Sequence, residues 1–171
     1  MPKPSPDSYP EYFQKYIDQV KEEDLITAFK NQSLPAEAFL QTIPEELSLR
    51  RYAEGKWSVR EVLQHIIDAE RVFAYRAMCF ARGEQKVLPS FDENLYAANS
   101  HADARNWKDI ISEFAATRRS TEFLFNSFTD EMLNKAGKAS NYTTTPAALG
   151  FITVGHMNHH LRIIQERYLG V

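Results

Sequence analysis

The chain has 171 residues, of which 43% are hydrophobic and 12% aromatic, enough to build one sizeable core, so we expect a single domain over residues 1–171. The formal charge of −3, with 20 basic and 23 acidic residues spread along the chain, gives no reason to expect a nucleic-acid or anionic-membrane partner. The lone cysteine, Cys79, and the lack of any apolar run near the roughly 18 residues of a membrane span predict a cytoplasmic protein without a membrane partner.

Residues 1–22 form an N-terminal extension rich in proline and aromatic side chains. Within it, "DSYPEYFQKYI" predicts a short helix that packs on the core, and the wall of a pocket is the alternative interpretation. A first long helix is predicted from about Asp24 to Thr42 on the spacing of its apolar residues. Pro35 lies inside this helix and is expected to kink or divide it.

The second helix has a strong start signal in "KWSVREV". Ser58 is its predicted N-cap, and Glu61, three residues on, completes a capping box. Trp57 and Val62 stand where a hydrophobic staple packs. Apolar residues then recur at alternating spacings of three and four as far as about Ala81, which is typical of a helix that faces the core of a bundle.

The next segment, residues 83–105, is "GEQKVLPSFDENLYAANSHADAR". It shows no sustained periodicity beyond one short turn at about 92–98. Connections of this length in a compact domain are more often functional covers than passive tethers. We expect the segment to cross one end of the molecule.

Two further helices follow the long connection. The third is "NWKDIISEFAATRRSTEFLFNSF", residues 106–128. The fourth begins where Thr145 can cap and Pro146 takes the first helical position, and it continues to about Tyr168, before Gly170. Four long helices predict an all-α fold, a four-helix bundle.

Three of the five histidines lie in a five-residue stretch inside the fourth helix, in "VGHMNHHLRII". At about 100° per residue, His156 and His160 lie roughly 40° apart, on the same face as Leu149 and Ile152. Imidazoles at positions i and i+4 suit a transition metal, although this spacing alone occurs more often among histidines in the core or on the surface. His159 falls at the shoulder of the face, and the sequence assigns it no role.

A third ligand has to come from another helix, and His65, in the middle of the second helix, is the best candidate. Three neutral imidazoles from two helices leave one to three positions for water or substrate. Of the polar neighbours of His65, Glu61 already serves as a capping residue. Asp68 and Gln64 remain as candidates that orient an imidazole N–H or accept a proton, and no catalytic residue is assigned.

Other metal sites do not fit these residues. A ferritin-like di-iron centre needs Glu three residues before a histidine, and none of the five histidines has one. The zinc-peptidase pattern His-Glu-x-x-His is also absent, because Met157 follows His156.

"GKWSVREVLQHIIDAE" and "GHMNHHLRII" resemble the two signature helices of the DinB/YfiT-like superfamily, and the resemblance extends over about residues 23–169. It implies a four-helix bundle with up-down-down-up topology and a long cross-over between helices 2 and 3. It also implies a divalent metal, nickel or zinc, with His65, His156 and His160 as its ligands.

The family includes metal-dependent hydrolases and enzymes that transfer low-molecular-weight thiols to electrophiles. The resemblance therefore implies a small-molecule substrate, a metal that activates water or a thiol, and a homodimer. The alternative hypothesis is a non-catalytic, metal-stabilised bundle that acts as a stress-related binding or dimerisation module. A purely structural metal site is expected to be closed by a fourth protein ligand.

Overall fold

The structure, a computed structural model, describes residues 1–170. Residue 171, the last of the predicted domain, lies outside the described residues. Within the described part, the α-helices are α1 (Gln14–Ile17), α2 (Leu25–Gln41), α3 (Val59–Ala81), α4 (Glu93–Asn99), α5 (Trp107–Asn126), α6 (Asp130–Leu133) and α7 (Pro146–Ile163). Short 3₁₀ helices occupy Pro6–Ser8, Glu11–Phe13, Leu47–Leu49 and Ala102–Ala104, and a π-helical turn at Ile164–Leu169 continues α7.

The four long helices, α2, α3, α5 and α7, each begin at a polar side chain that accepts a hydrogen bond from the first turn. The caps are Asp24, Ser58, Asn106 and Thr145. At α3 both halves of the predicted capping box are present: Glu61 N–H donates to Ser58 Oγ (3.1 Å), and Ser58 N–H donates to Glu61 Oε2 (2.7 Å). The predicted starts of these helices are confirmed, because capping depends only on local sequence.

The helix α2 runs without a break through Pro35. Of the two outcomes expected for this proline, a kink or a division, the division does not occur. Proline removes one backbone donor, but the apolar side chains of α2 are buried on both sides of it, at Phe29 and at Leu40. Their packing against the core holds the two halves in one helix.

A two-stranded antiparallel hairpin corrects the all-α prediction. Strands β1 (Gly137–Ala139) and β2 (Tyr142–Thr144) pair with Gly137 opposite Thr144. Three-residue strands are too short to give a two-residue periodicity that can be distinguished in a sequence. The hairpin also binds the long connection, because Leu88 N–H donates to the Lys138 carbonyl (2.9 Å) and its own carbonyl accepts from Ser140 N–H (2.8 Å).

The long helices pack in a ring. Both α5 and α7 contact both α2 and α3, so each long helix has two long neighbours around a common core. The fold is thus mostly helical and built on a bundle of four helices, as the sequence predicted. No helix within residues 1–170 has the length and apolar character needed to span a bilayer.

Two apolar clusters fill the core, and buried polar side chains lie between them. One cluster surrounds Phe29 and Phe125, and the other surrounds Leu40 and Phe114. The polar residues between them are Gln32 on α2, Glu70 on α3, Arg118 on α5 and His156 on α7, all of them buried. We call these four residues the polar layer.

Candidate metal centre

The helices α3 and α7 bring three histidines together, one of which, His156, belongs to the polar layer. His65 Nε2 lies 3.0 Å from His156 Nε2, and His160 Nε2 lies 3.1 Å from the same atom. The ligand-type nitrogens of the three rings all lie within 4.8 Å of one another. The i, i+4 spacing on α7 and the central position on α3 produce this convergence across 91 residues of sequence.

The three imidazoles are held in their neutral form. Burial lowers the pKa of His65 to about 4 and that of His160 to about 2. The pKa of His156 is also well below its usual value, first because of burial and then because of the neighbouring His160 and His65. Neutral imidazole is the form of histidine that binds metals.

The spacing of the ring nitrogens fits a single metal ion. Nitrogens bound at 2.0–2.1 Å to one ion stand roughly 2.9 to 3.4 Å apart, for angles between octahedral and tetrahedral. Both Nε2 separations, 3.0 and 3.1 Å, fall in this interval. His156 Nε2 cannot form N–H···N hydrogen bonds to both of the other rings, because a neutral imidazole nitrogen carries either one hydrogen or one lone pair. A divalent transition metal matches the donor set.

Aromatic rings pack around the three histidines. The ring centroid of Trp57 lies 4.9 Å from that of His65, and the rings of Tyr16 and Phe73 lie 5.3 and 6.0 Å from His156. These contacts restrict the rotamers of the imidazoles and exclude water from the sides of the cluster.

A cavity of about 410 Å³ opens over the histidines. Its walls come from the N-terminal extension, α3, the long connection, the hairpin and α7, and they include Phe13, Phe73, Arg76, Phe91, Glu93 and Tyr142. The volume is in the usual range for small-molecule sites, and the walls are largely apolar, with few polar groups.

The N-terminal extension and the long connection both contribute to this cavity. Phe13 and Tyr16 are buried in the core and also line the cavity, so packing and wall formation are combined in one segment. Ser90, Phe91 and Glu93 of the long connection also line the cavity. The prediction that the connection covers a functional site agrees with this position.

Two of the residues singled out from the sequence lie outside the cluster. His159 is partly exposed, and its ring packs against Tyr16, with centroids 5.4 Å apart. Asp68 accepts a hydrogen bond from Gln64 Nε2 (3.0 Å) and pairs with Arg71 Nη1 (3.5 Å), while burial raises its pKa. Its role beside His65 stays a prediction, which the metal affinity of Asp68→Asn tests.

Sequence reasoning missed Arg76 and Tyr142, which both line the cavity. A signal was present for Arg76, because it lies eleven residues after His65 and therefore on nearly the same face of α3. A charged residue on an otherwise apolar helical face is a recognisable anomaly. Tyr142 had no comparable signal, because it belongs to the hairpin, whose strands have no periodicity.

Comparison with known proteins supports these observations. A family model described as the DinB superfamily matches residues 35–164. The structure is similar to that of YfiT from Bacillus subtilis, described as "a probable metal-dependent hydrolase with an unusual four-helix bundle topology", with a TM-score of 0.69 and 18% sequence identity. That alignment covers 96% of this chain and 90% of YfiT, and at this identity it establishes a shared fold. No protein of curated function matched the chain.

Proposed function

The chain belongs to the DinB superfamily, and we propose that it is a metal-dependent enzyme acting on a small molecule. In this proposal His65, His156 and His160 hold a divalent transition metal, nickel or zinc, which activates water or a low-molecular-weight thiol. The observation that carries the proposal is the convergence of three neutral imidazoles at a cavity large enough for a small molecule.

The composition of the cluster favours an enzyme over a metal-stabilised structural module. Within residues 1–170, no cysteine, aspartate or glutamate joins the three histidines as a fourth ligand. A structural zinc site is normally closed by four protein ligands, whereas a catalytic site keeps a position for water or substrate. The alternative of a stress-related binding or dimerisation module would need such a closed site.

A divalent metal held there supplies Lewis-acid chemistry, which lowers the pKa of a coordinated water or thiol so that a nucleophile is present near neutral pH. The chain holds the three imidazoles neutral by burial. Trp57 and Phe73 pack against the rings and fix their orientation. The cavity admits the second reactant while its aromatic walls keep bulk water from the sides of the cluster.

The choice between hydrolase and thiol transferase depends on the second reactant. The description of YfiT as a probable metal-dependent hydrolase supports the use of water. A screen of low-molecular-weight thiols against a generic electrophile, with ester substrates in parallel and with nickel or zinc added, separates the two. Thiol-dependent turnover that disappears in His156→Ala identifies a transferase, and ester cleavage without thiol identifies a hydrolase.

Metal content tests the foundation of the proposal. We expect the full chain to bind about one divalent ion, and His65→Ala, His156→Ala and His160→Ala each to lose most of that affinity because a ligand is removed. Elemental analysis after dialysis against nickel or zinc measures the stoichiometry. His159→Ala is the matched control: its ring lies in the same turn of α7 but outside the cluster, so it retains the metal. A wild-type protein that binds no divalent metal would refute the proposal.

Several features of the whole chain are part of the same proposal. The helices follow an up-down-down-up order, with residues 82–106 between α3 and α5 as the long cross-over, and residues 1–171 form one domain. The shared fold with YfiT and the packing of all four long helices around one core support this arrangement. We also propose that the protein is cytoplasmic, on the basis of its single cysteine. We propose no nucleic-acid partner.

The predicted homodimer belongs to the proposal as well. Leu34 on α2 and Phe123 on α5 are 75% and 65% exposed. The two helices pack against each other, and Ser33 Oγ donates to Glu122 beside these residues. An apolar pair on adjacent helices is suited to contact with a second copy. Light scattering on wild-type protein and on Leu34→Glu measures the mass of each.

A further inference from the structure

Three arginines are buried within the described residues, and one of them has no acidic partner there. Arg60 pairs with Glu45, and Arg118 pairs with Glu70 (2.8 Å). Arg76, only 3% exposed, forms no ion pair within residues 1–170. Its hydrogen bonds go to neutral oxygens, from Nη1 to the Tyr142 hydroxyl (2.8 Å) and from Nη2 to the Pro89 carbonyl (2.7 Å).

The burial of this guanidinium is only partly compensated. The rings of Phe91 and Tyr142 lie 5.7 and 6.0 Å from Arg76 Cζ, a distance at which cation–π attraction is modest. A guanidinium carries five N–H donors, and the two hydrogen bonds described above use two of them. A buried charge is unfavourable unless it is paired, so an anion that reached Arg76 would gain a strong charge-assisted interaction.

Arg76 and the histidine cluster lie along one face of α3. Arg76 is eleven positions after His65, so it lies about 20° around the helix from His65, and their Cα atoms are separated by roughly 16 Å. Ala69 and Phe73 lie on the same face between them. All four residues line the cavity, which therefore has a cation near one end, an apolar stretch in the middle and the imidazoles at the other end.

The charge of the cavity favours an anion. Among the described residues that line it, the charged side chains are Arg76 and Glu93. Glu93 is exposed to solvent, whereas Arg76 is buried. A negative group inside the cavity would therefore meet one desolvated cation and no desolvated carboxylate.

We propose that the cavity binds a small organic carboxylate, with the carboxylate held by Arg76 and the apolar body lying against Phe73 and Phe91. The Tyr142 hydroxyl accepts from Arg76, so its own hydrogen is free to donate to the second carboxylate oxygen. This inference deepens the proposed function, on which it rests for one point: the end of the molecule opposite the carboxylate would lie near His65, His156 and His160, the residues that would hold the metal.

The test compares 3-phenylpropanoate with its neutral analogue 3-phenylpropanamide by calorimetric titration of the full chain, both metal-loaded and chelator-treated. We expect the carboxylate to bind at least about tenfold more tightly than the amide in both preparations, because a charge-assisted hydrogen-bonded pair is worth about 1.5–3 kcal/mol. Arg76→Met, which keeps the aliphatic stem, removes this preference.

Arg119→Met is the matched control, since Arg119 is an exposed arginine that stacks on Phe123 away from the cavity. It keeps the wild-type preference. Circular dichroism and thermal unfolding check that Arg76→Met is folded. If it is not, Tyr142→Phe supplies the readout, with carboxylate affinity expected to fall roughly three- to tenfold through loss of one hydrogen bond.

The outcomes separate this inference from the proposed function. If wild-type protein binds the carboxylate and the amide equally, the inference is overturned. It is also overturned if the preference for the carboxylate requires metal and persists in Arg76→Met, since the metal would then bind the carboxylate. Metal binding without carboxylate preference refutes the inference alone. An Arg76-dependent preference in a protein that binds no metal supports the carboxylate site and refutes the proposed reaction.

Discussion

At the scale of single residues, the most consequential feature is the buried pair of Arg118 and Glu70. Each is 2% exposed, and the guanidinium donates from Nε (3.0 Å) and Nη2 (2.8 Å) to the two carboxylate oxygens. Arg118 Nη1 also donates to Gln32, whose amide donates to the Val154 carbonyl (2.7 Å). The polar layer is thus hydrogen-bonded across four helices. The sequence did not indicate that Arg118 is buried, because a charged residue on a long helix is usually exposed.

Breaking this pair on one side tests its importance for stability. We expect Arg118→Met to lower the free energy of unfolding by about 3–5 kcal/mol, because Glu70 is left buried without a partner. The double variant Glu70→Gln with Arg118→Met recovers part of the loss, since no uncompensated charge remains. Denaturant unfolding measures each value.

The exposed pair on α7 provides the control for this comparison. Arg162 Nη1 lies 3.5 Å from Glu166 Oε2, and both side chains are more than half exposed. We expect Arg162→Met to change the free energy of unfolding by no more than about 0.5 kcal/mol. If Arg118→Met costs no more than this control, the buried pair is not a determinant of stability.

At the scale of elements, the position of α1 depends on a glycine in α7. A Cβ atom on Gly155 would lie 1.9 Å from the carbonyl oxygen of Tyr16. The backbone of α1 therefore rests directly on α7, one residue before His156, and this contact carries Tyr16 to the wall of the cavity. The sequence of α1 predicted a short packing helix but could not indicate where it packs.

Substitution of Gly155 by alanine tests the contact, because the contact determines whether the substitution raises or lowers the stability of the protein. In an exposed helix, Gly→Ala stabilises by about 1 kcal/mol through helix propensity. We expect Gly155→Ala to destabilise by about 1–3 kcal/mol instead, because the added methyl group forces α1 away from α7. Thermal unfolding measures the change. Ser120→Ala on the exposed side of α5 is the control and is expected to be neutral or slightly stabilising. A stabilised Gly155→Ala would show that α1 does not pack this closely.

At the scale of the whole molecule, the histidine cluster joins two helices that are distant in sequence. His65 and His156 are 91 residues apart, and the ligand set exists only when α3 and α7 are packed together. A metal that binds this set therefore binds the folded state and stabilises it by mass action. We therefore expect folding and metal binding to be coupled.

Metal addition is accordingly expected to raise the unfolding temperature. At a free metal concentration about a hundredfold above the dissociation constant, the stabilisation is about 2.7 kcal/mol, which corresponds to roughly 5–10 °C for a domain of this size. Scanning calorimetry of chelator-treated protein with and without added nickel or zinc measures the shift. His156→Ala, which lacks the central ligand, should show none, and an equal shift in that variant would place the metal elsewhere.

The long helices and the histidines that share one helical face can be identified from local sequence alone. The caps at Ser58 and Thr145 are local features, and helical periodicity placed His156 and His160 on one face and left His159 at its edge. These features are set by interactions within one or two turns, so they can be identified without knowledge of the fold. Its central position on the second helix made His65 the best candidate for the third ligand, and the resemblance in the two signature helices implied the same three residues.

How these helices surround the site, in contrast, follows from long-range packing and is not visible in local sequence. The hairpin, the burial of Arg118 and the position of Arg76 in the cavity wall depend on contacts between segments far apart in the chain. The charge of a side chain predicts exposure unless a distant partner or cavity compensates its burial. Local sequence does not identify that partner. Only packing of the folded chain brings Glu70 and Gln32 to Arg118 and the aromatic side chains of the cavity to Arg76.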